Sequence, residues 1–538
     1  MTTLIPHAPY SQDEIDKLYP KELKLQLVQV FLRHGERTPV SSRFENAGLL
    51  PYWPYCNVAR RMVQMAASNE DLSSWNGFKW KRKMETFGDR DQTIVTVGAG
   101  GDIEGIWQVN IYPVCASAAS SNCSSSQHGE LTDKGRETTY QLGQRLRNLY
   151  VDQLGFMPKI KSDTEDMYLR ATTIPRALES LQQAFWGMYP PNARTEDLQP
   201  PVIVARSVSE ETLFPNESSC RRFRQLARLF ADKAAKKWND SEEMDYINSV
   251  YGKWMPENSP RVAVDSHPRL SGIQDTINAT DAHGPATRLP TEFYNNKARA
   301  YMEHIAVDEW FTGYNESTEY RKLGIGALMG DVVDRMVTTA VDGGWRSETS
   351  ASGSSAEKGK AIKFAMSGCH DTTLAAILGS LGALDNRWPP FTSSIAVELF
   401  SRAGSASSES TNTALPAPKQ GGGLFSFLTG STSSTSSKTH LLPSSTARTP
   451  LESLPDSARQ SLQEHYVRIR YNDRVVRIPG CAVKPENHLP GDDTFCKLDA
   501  FKEIVDKFTP KSWRSECVQN LGEGLYGKDD KEKAISGF

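Results

Sequence analysis

LKLQLVQVFLRHGERTPV, residues 23–40, runs from an apolar segment directly into a cluster of charges. Leu25, Leu27, Val28, Val30, Phe31 and Leu32 give it apolar side chains on both faces, the pattern of a strand buried inside a sheet. The run stops at Arg33, and His34, Glu36 and Arg37 follow within a few positions. Gly35 permits a tight bend there, and Pro39 closes the turn. Two guanidinium groups on either side of one imidazole make a site for an anion. The planar fork of arginine matches the paired oxygens of a phosphate and stays protonated at physiological pH, so Arg33 and Arg37 can bind phosphate without a metal. An imidazole between them can accept a phosphoryl group on one ring nitrogen, provided that it is neutral and its other nitrogen is held. The flanking cations favour the neutral ring.

RHGERTP resembles the RHGxRxP signature of the histidine acid phosphatases, the second branch of the histidine phosphatase superfamily, and the resemblance is to the fungal-type acid phosphatases. It implies a partner motif far downstream. SGCHDTT at 367–373 is similar to the family's His-Asp motif, and it lies between the apolar run Ile362–Met366 and the helix-like TTLAAILGSLG. The resemblance makes His34 the nucleophile and Asp371 the proton donor, with Arg33, Arg37 and His370 as phosphate ligands. LTDKGRETTYQLGQRLR, residues 131–147, is similar to the family's LTxxGxxxxxxLGxxLR helix; Thr132 or Asp133 caps it, and its apolar spacing reads as scaffold. Beyond a strand over Glu165–Leu169, the family's Arg-Ser-Thr segment delivers a third phosphate-binding arginine. Arg170 takes that place here, with Ala171 where the family has serine, and Arg176 is read as a brace on the following helix. LFPNESSCRRFRQL, RKLGIGALMGDVVDRM and the Cys-bearing C-terminal segment extend the resemblance over most of the chain. The fold it implies is α/β: an open, mostly parallel sheet flanked by helices, with an inserted helical cap subdomain.

The chain has 538 residues, too many for one ordinary core. We expect an N-terminal arm over 1–22 and a discontinuous catalytic core over 23–40, 130–189 and 331–538. Residues 41–129 and 190–330 are expected to form the cap and the substrate-selecting inserts. Segments 347–359 and 401–457 are dominated by Ser, Thr, Gly, Ala and Pro, which cannot bury enough apolar surface to offset ordering entropy, so disordered loops are expected. Within the second, GLFSFLTG at 423–430 has the composition of a short docking segment.

Net charge is −3 and the basic residues are dispersed, which excludes an electrostatic footprint for nucleic acid. No apolar run approaches the roughly 18 residues of a membrane span. The acidic residues lack the spacing of a metal site, so neither metal nor cofactor is expected. The expected partners are small phosphate monoesters; the sequence does not reveal an oligomeric state. The N-terminus lacks the apolar core of a signal peptide, which predicts an intracellular protein, cytoplasmic or mitochondrial. Against this stand eight cysteines and NxS/T acceptors at Asn122, Asn216, Asn239, Asn278 and Asn315, which keep a secreted or vacuolar location as the alternative.

These residues predict a metal-independent phosphomonoesterase that works through a phosphohistidine, is most active in acid, and takes broad or lysophospholipid-like substrates. One alternative is a phytase-like inositol polyphosphate phosphatase, for which Arg60, Arg61 and the KWKRK run at 79–83 are suggestive. Another is a scaffold protein with a degenerate site, against which the intact His34, Arg37, His370 and Asp371 argue.

Overall fold

The continuous apolar run of residues 23–33 does form a central strand, buried along most of its length. In the computed structural model the described residues are 3–51, 53–55, 80–87, 93–96, 103–105, 128–346, 360–403, 449–526 and 535–538. Arg60, Arg61, the insert 347–359, GLFSFLTG and most of 401–457 lie outside them.

In chain order the first six strands are β1 (Leu23–Arg33), β2 (Trp80–Phe87), β3 (Thr93–Thr96), β4 (Ile103–Gly105), β5 (Met167–Ala171) and β6 (Val202–Arg206). The others are β7 (Phe364–Cys369), β8 (Ser394–Arg402), β9 (His465–Tyr471), β10 (Arg474–Val476), β11 (His488–Leu489) and β12 (Asp492–Lys497). They form one sheet in the order β11-β12-β9-β8-β1-β7-β5-β6-β2-β3, with β10 on β9 and β4 on β2. The centre, β1-β7-β5-β6-β2, is parallel. Antiparallel strands flank it on both sides. The class is therefore α/β, as expected. Helices cover both faces, as parallel strands require: Val28, Val30 and Leu32 pack with the layer that holds helices Asp133–Arg147 and Pro175–Met188, whereas Leu27 and Phe31 pack with the layer that holds Ala327–Asp342 and Asp371–Ser380.

Helices Arg221–Trp238, Glu242–Tyr251, Leu270–Ala282 and Asn296–Glu316 share a further core that includes Met244, Ile273, Phe293 and Met302, in the region read as a cap. One assignment needs correction. Residues 41–129 were assigned wholly to the inserts, yet Trp80–Phe87 pairs in parallel with Val202–Arg206, so both segments extend the central sheet. The charged and aromatic composition of Trp80–Phe87, WKRKMETF, concealed that strand, whereas Val202–Arg206 is a short apolar run, VIVAR, inside a region otherwise rich in helix formers. The N-terminal arm is packed onto the sheet: helix Gln12–Leu18 is capped by Ser11, and the Tyr19 hydroxyl donates to the buried Glu398 carboxylate. The structure pairs Cys220 with Cys517 and Cys481 with Cys496, and it leaves Cys369 a buried thiol.

Candidate active site

The register of β1 against β7 sets Arg33 beside Cys369, so the two motifs emerge together from neighbouring strand ends. The His34 amide donates to the Cys369 carbonyl at 3.1 Å, which locks the two turns to each other. This is the carboxyl edge of a parallel sheet, where open α/β folds place their ligands. Gly35 serves close approach rather than bending: a Cβ there would lie 2.2 Å from the Gly135 carbonyl, and one on Gly135 would lie 2.2 Å from that of Glu36. The helix read as scaffold is thus pressed onto the charged turn, and its N-cap Thr132 donates its hydroxyl to the Glu36 carbonyl at 3.1 Å.

His34 is 2 % exposed. Its Nδ1 lies 2.9 Å from the Gly35 carbonyl, which can only accept, so Nδ1 carries the hydrogen and Nε2 keeps its lone pair. Burial, then the charges of Arg176, Arg37 and Arg33, hold its pKa well below the usual histidine range. A neutral, correctly tautomerised nucleophile results. The His370 ring stands 5.6 Å away, centroid to centroid, with its Nε2 3.1 Å from the Thr172 hydroxyl. Burial and Arg176 lower its pKa as well, so it too is neutral.

Arg33 reaches Asp371 Oδ2 at 2.7 Å and donates to the Pro389 carbonyl, with its guanidinium 4.2 Å from the Phe391 ring centroid. Arg37 pairs at 2.7 Å with Asp275 on helix Leu270–Ala282. Each leaves a buried Nε without a hydrogen-bond partner among the described residues. Arg170, expected as the third ligand, is elsewhere. It is fully buried behind the sheet, where it donates to Glu211 at 2.7 Å and to the Thr212 hydroxyl at 3.1 Å, and it lines neither chamber of the cleft. The strand runs on to Ala171, so Arg170 is an interior position. Its side chain takes the Tyr168 face, while Leu169 and Ala171 join the opposite core. Arg176 lines the cleft instead, in the first turn of helix Pro175–Met188. Its Nη1 donates to the Gly129 carbonyl at 3.3 Å, and its Nε has no hydrogen-bond partner among the described residues. Burial and the neighbouring Arg37 pull its pKa down to about 9, the mark of cations crowded around a place for an anion.

Asp371 begins helix Asp371–Ser380, and its Oδ1 accepts the Thr372 amide at 2.8 Å. Oδ2 accepts the Trp388 indole N–H at 3.0 Å in addition to Arg33. Burial alone would raise this carboxyl, but Arg33, the Trp388 hydrogen bond and Arg37 together outweigh it and hold the pKa down, at about 2.

Two chambers meet at Arg37, Asp371, Thr372 and Trp310. One, of about 250 Å³, is walled by Phe214, Phe223, Phe311, Tyr314 and Ile174. The other, of about 620 Å³, carries Arg43, Arg269, Arg299 and Arg387. Three of these are already paired: Arg269 with Glu309, Arg299 with Asp281 at 2.9 Å and Arg387 with Glu303 at 3.2 Å. Among the described residues no three His, Cys, Asp or Glu side chains gather as a metal-holding group.

The sequence reading has Arg176 bracing the pocket rather than binding phosphate, and it missed Asp275 and Trp388. For Arg176 a signal existed: Pro175 favours the first helical position, which sets the next side chain at a helix N-terminus facing the strand ends. For the other two, no local pattern points to the site.

The chain matches the model for the histidine phosphatase superfamily (branch 2) over residues 24–415. It is 35% identical over 501 residues to a Schizosaccharomyces pombe protein named "Probable acid phosphatase", covering 93% of this chain and 95% of that one. Lysophosphatidic acid phosphatase type 6 from Homo sapiens is 23% identical over 381 residues, covering 70% of this chain and 74% of its own. Among solved structures, the phytase of Hafnia alvei in complex with myo-inositol hexakis sulphate aligns with a TM-score of 0.49 and 13% identity, over 93% of this chain and 99% of that one.

Proposed function

The chain belongs to branch 2 of the histidine phosphatase superfamily and is an acid phosphatase; from that premise we propose a phosphohistidine mechanism in which Arg176, and not Arg170, completes the phosphate cradle. The observation that carries this reading is the state of His34: hydrogen-bonded through Nδ1, without a hydrogen bond at Nε2 among the described residues, and kept neutral by burial and the charges of Arg176, Arg37 and Arg33. The lone pair of Nε2 attacks phosphorus in line as the ester P–O bond breaks, and the three guanidinium groups spread the charge on the equatorial oxygens. His370 hydrogen-bonds the same phosphoryl group. The departing oxygen takes a proton from Asp371. Water then attacks the phosphohistidine, returns a proton to Asp371 and releases inorganic phosphate, and the P–N electron pair goes back to His34.

The aromatic chamber supports monoesters with an apolar leaving group, of lysophospholipid type, and the relatives named lysophosphatidic acid phosphatase agree with it. The charged chamber favours the inositol polyphosphate reading less, because three of its four additional arginines already have carboxylate partners. The two disulfides support the secreted or vacuolar alternative over the intracellular expectation, since such bonds persist in oxidising compartments. No helix among the described residues is long and apolar enough to cross a membrane.

The test is a panel of phosphate esters assayed in EDTA: glycerol phosphate, alkyl and lysophospholipid monoesters of increasing chain length, and inositol hexakisphosphate. Activity should survive the chelator. kcat/KM should rise about fourfold for each methylene that enters the chamber, the equivalent of about 0.8 kcal/mol per buried CH₂. Equal rates for all chain lengths, or preference for the hexakisphosphate, would overturn the substrate assignment; loss of activity in EDTA would overturn the metal-independent one.

The pH dependence has a defined sign. Asp371 is held low, so the acid form needed by the first step becomes scarcer as pH rises. A bound phosphate dianion offsets part of the arginine field and raises that pKa within the complex. kcat should therefore be highest in acid and decline beyond neutral pH. A profile flat from acid to alkaline would remove Asp371 as donor.

A further inference from the structure

The acid step needs a proton on one particular oxygen of Asp371, and the two oxygens are not equivalent. Oδ2 receives two donors, Arg33 Nη2 at 2.7 Å and Trp388 Nε1 at 3.0 Å. Neither donor can accept, because guanidinium and indole groups carry only N–H hydrogens. A proton on Oδ2 would displace one of them. Among the described residues Oδ1 receives only the Thr372 amide, at 2.8 Å, and it retains capacity on its other lone pair.

We propose that Trp388 is a positioning residue for the acid step: with Arg33 it saturates Oδ2 of Asp371 and reserves Oδ1 as the oxygen that delivers the proton to the leaving group. The proposal rests on Asp371 being the acid. As the ester P–O bond breaks, its electron pair goes to the leaving oxygen, which takes the hydrogen from Oδ1. Asp371 becomes a carboxylate held by three donors, and water restores the proton to Oδ1 in the second step.

The indole is placed by the cap. Its ring centroid lies 4.9 Å from that of Phe311 and 6.0 Å from that of Trp310, both on helix Asn296–Glu316. Its backbone amide donates to Glu303 on the same helix at 3.1 Å, and Glu303 also pairs with Arg387. The cap thereby sets the orientation of a catalytic group on the core. The charged and titratable groups facing Asp371 are Arg33, His34 and Arg37 from the first motif, Arg176 from the helix after β5, and His370 beside it. Asp275 screens Arg37, and the Glu303–Arg387 pair lies behind the indole. Trp388→Phe changes none of these charges.

The experiment compares Trp388→Phe, Asp371→Asn and the double variant on p-nitrophenyl phosphate, whose leaving group needs little protonation, and on an alkyl phosphate, which needs it fully. For Trp388→Phe, kcat on the alkyl ester at acid pH should fall about tenfold while that on the nitrophenyl ester stays within about twofold. The alkaline limb on the alkyl ester should move up by about one pH unit, because a hydrogen bond that favours the charged carboxylate is lost. In the Asp371→Asn background the same substitution should have no further effect. An unmoved limb, or an undiminished effect of Trp388→Phe in that background, would show a packing role only and overturn the proposal. If Asp371→Asn itself fails to separate the two esters, the acid assignment falls rather than the role of the indole. Trp388→Met, a flexible filler of the same space, is read identically if the Phe variant does not fold.

Discussion

His34→Ala is expected to lower kcat by about four orders of magnitude or more while leaving the fold intact. The loss is large because the substitution removes the atom that bonds to phosphorus, while His370 is engaged with Thr172 and the arginines are cations at the acid pH of the assay. The fold should survive because the His34 side chain makes its hydrogen bond to the carbonyl of the next residue and to no distant element. The imidazole is neutral, so its removal changes no charge in the cleft, and stability should change by no more than about 1 kcal/mol. Inorganic phosphate should still bind and inhibit, since Arg33, Arg37 and Arg176 are retained. Steady-state kinetics, thermal unfolding and phosphate titration of this variant check the three statements separately.

The second large effect separates two arginines six positions apart. Arg176→Ala should cost about 10²- to 10³-fold in kcat/KM, the usual consequence of deleting a donor aimed at transition-state charge, with little change in unfolding free energy. Arg170→Ala should do the reverse. It leaves Glu211 buried with its charge uncompensated and Glu85 with one cation fewer at 3.9 Å, which should destabilise the fold by about 3–5 kcal/mol. Some activity will be lost with it. Glu211 also accepts the amides of Thr212 and Leu213, the turn that carries Phe214 to within 5.8 Å of the His370 ring and the Leu213 carbonyl onto Thr373. Denaturant unfolding beside kcat/KM decides the matter. If Arg170→Ala is the kinetic variant and Arg176→Ala the unstable one, the cradle has been assigned to the wrong residue.

What could be read from the sequence depended on whether the signal was local. The strand at residues 23–33 announced itself because burial on both faces requires an uninterrupted apolar run, and the charges that end it are adjacent in the chain. The His-Asp motif was legible for the same reason, since Phe364–Cys369 is a buried strand that ends at the chemistry. The third arginine was not, because the choice between positions 170 and 176 turns on where the strand ends. Two residues of strand beyond the expected limit made Arg170 an interior position and turned its side chain away from the cleft. Asp275 and Trp388 reach the site from the cap and from the loop after helix Asp371–Ser380, through contacts that no periodicity encodes. β2 escaped notice as a sheet strand because its Lys81, Lys83 and Glu85 resemble loop residues until Val202–Arg206 is set beside them. Gly35 was recognised as necessary for a different reason: the constraint is the Gly135 backbone against it, which only the folded chain reveals.

The most direct test of the account is to trap the enzyme during turnover. Rapid quench of the wild type with a ³²P-labelled monoester, followed by peptide mapping, should recover acid-labile, base-stable phosphate on the peptide that carries His34, at a level approaching one per active chain when dephosphorylation limits the rate, and none in His34→Ala. Turnover without label on that peptide, or label that persists in the His34→Ala protein, would contradict it.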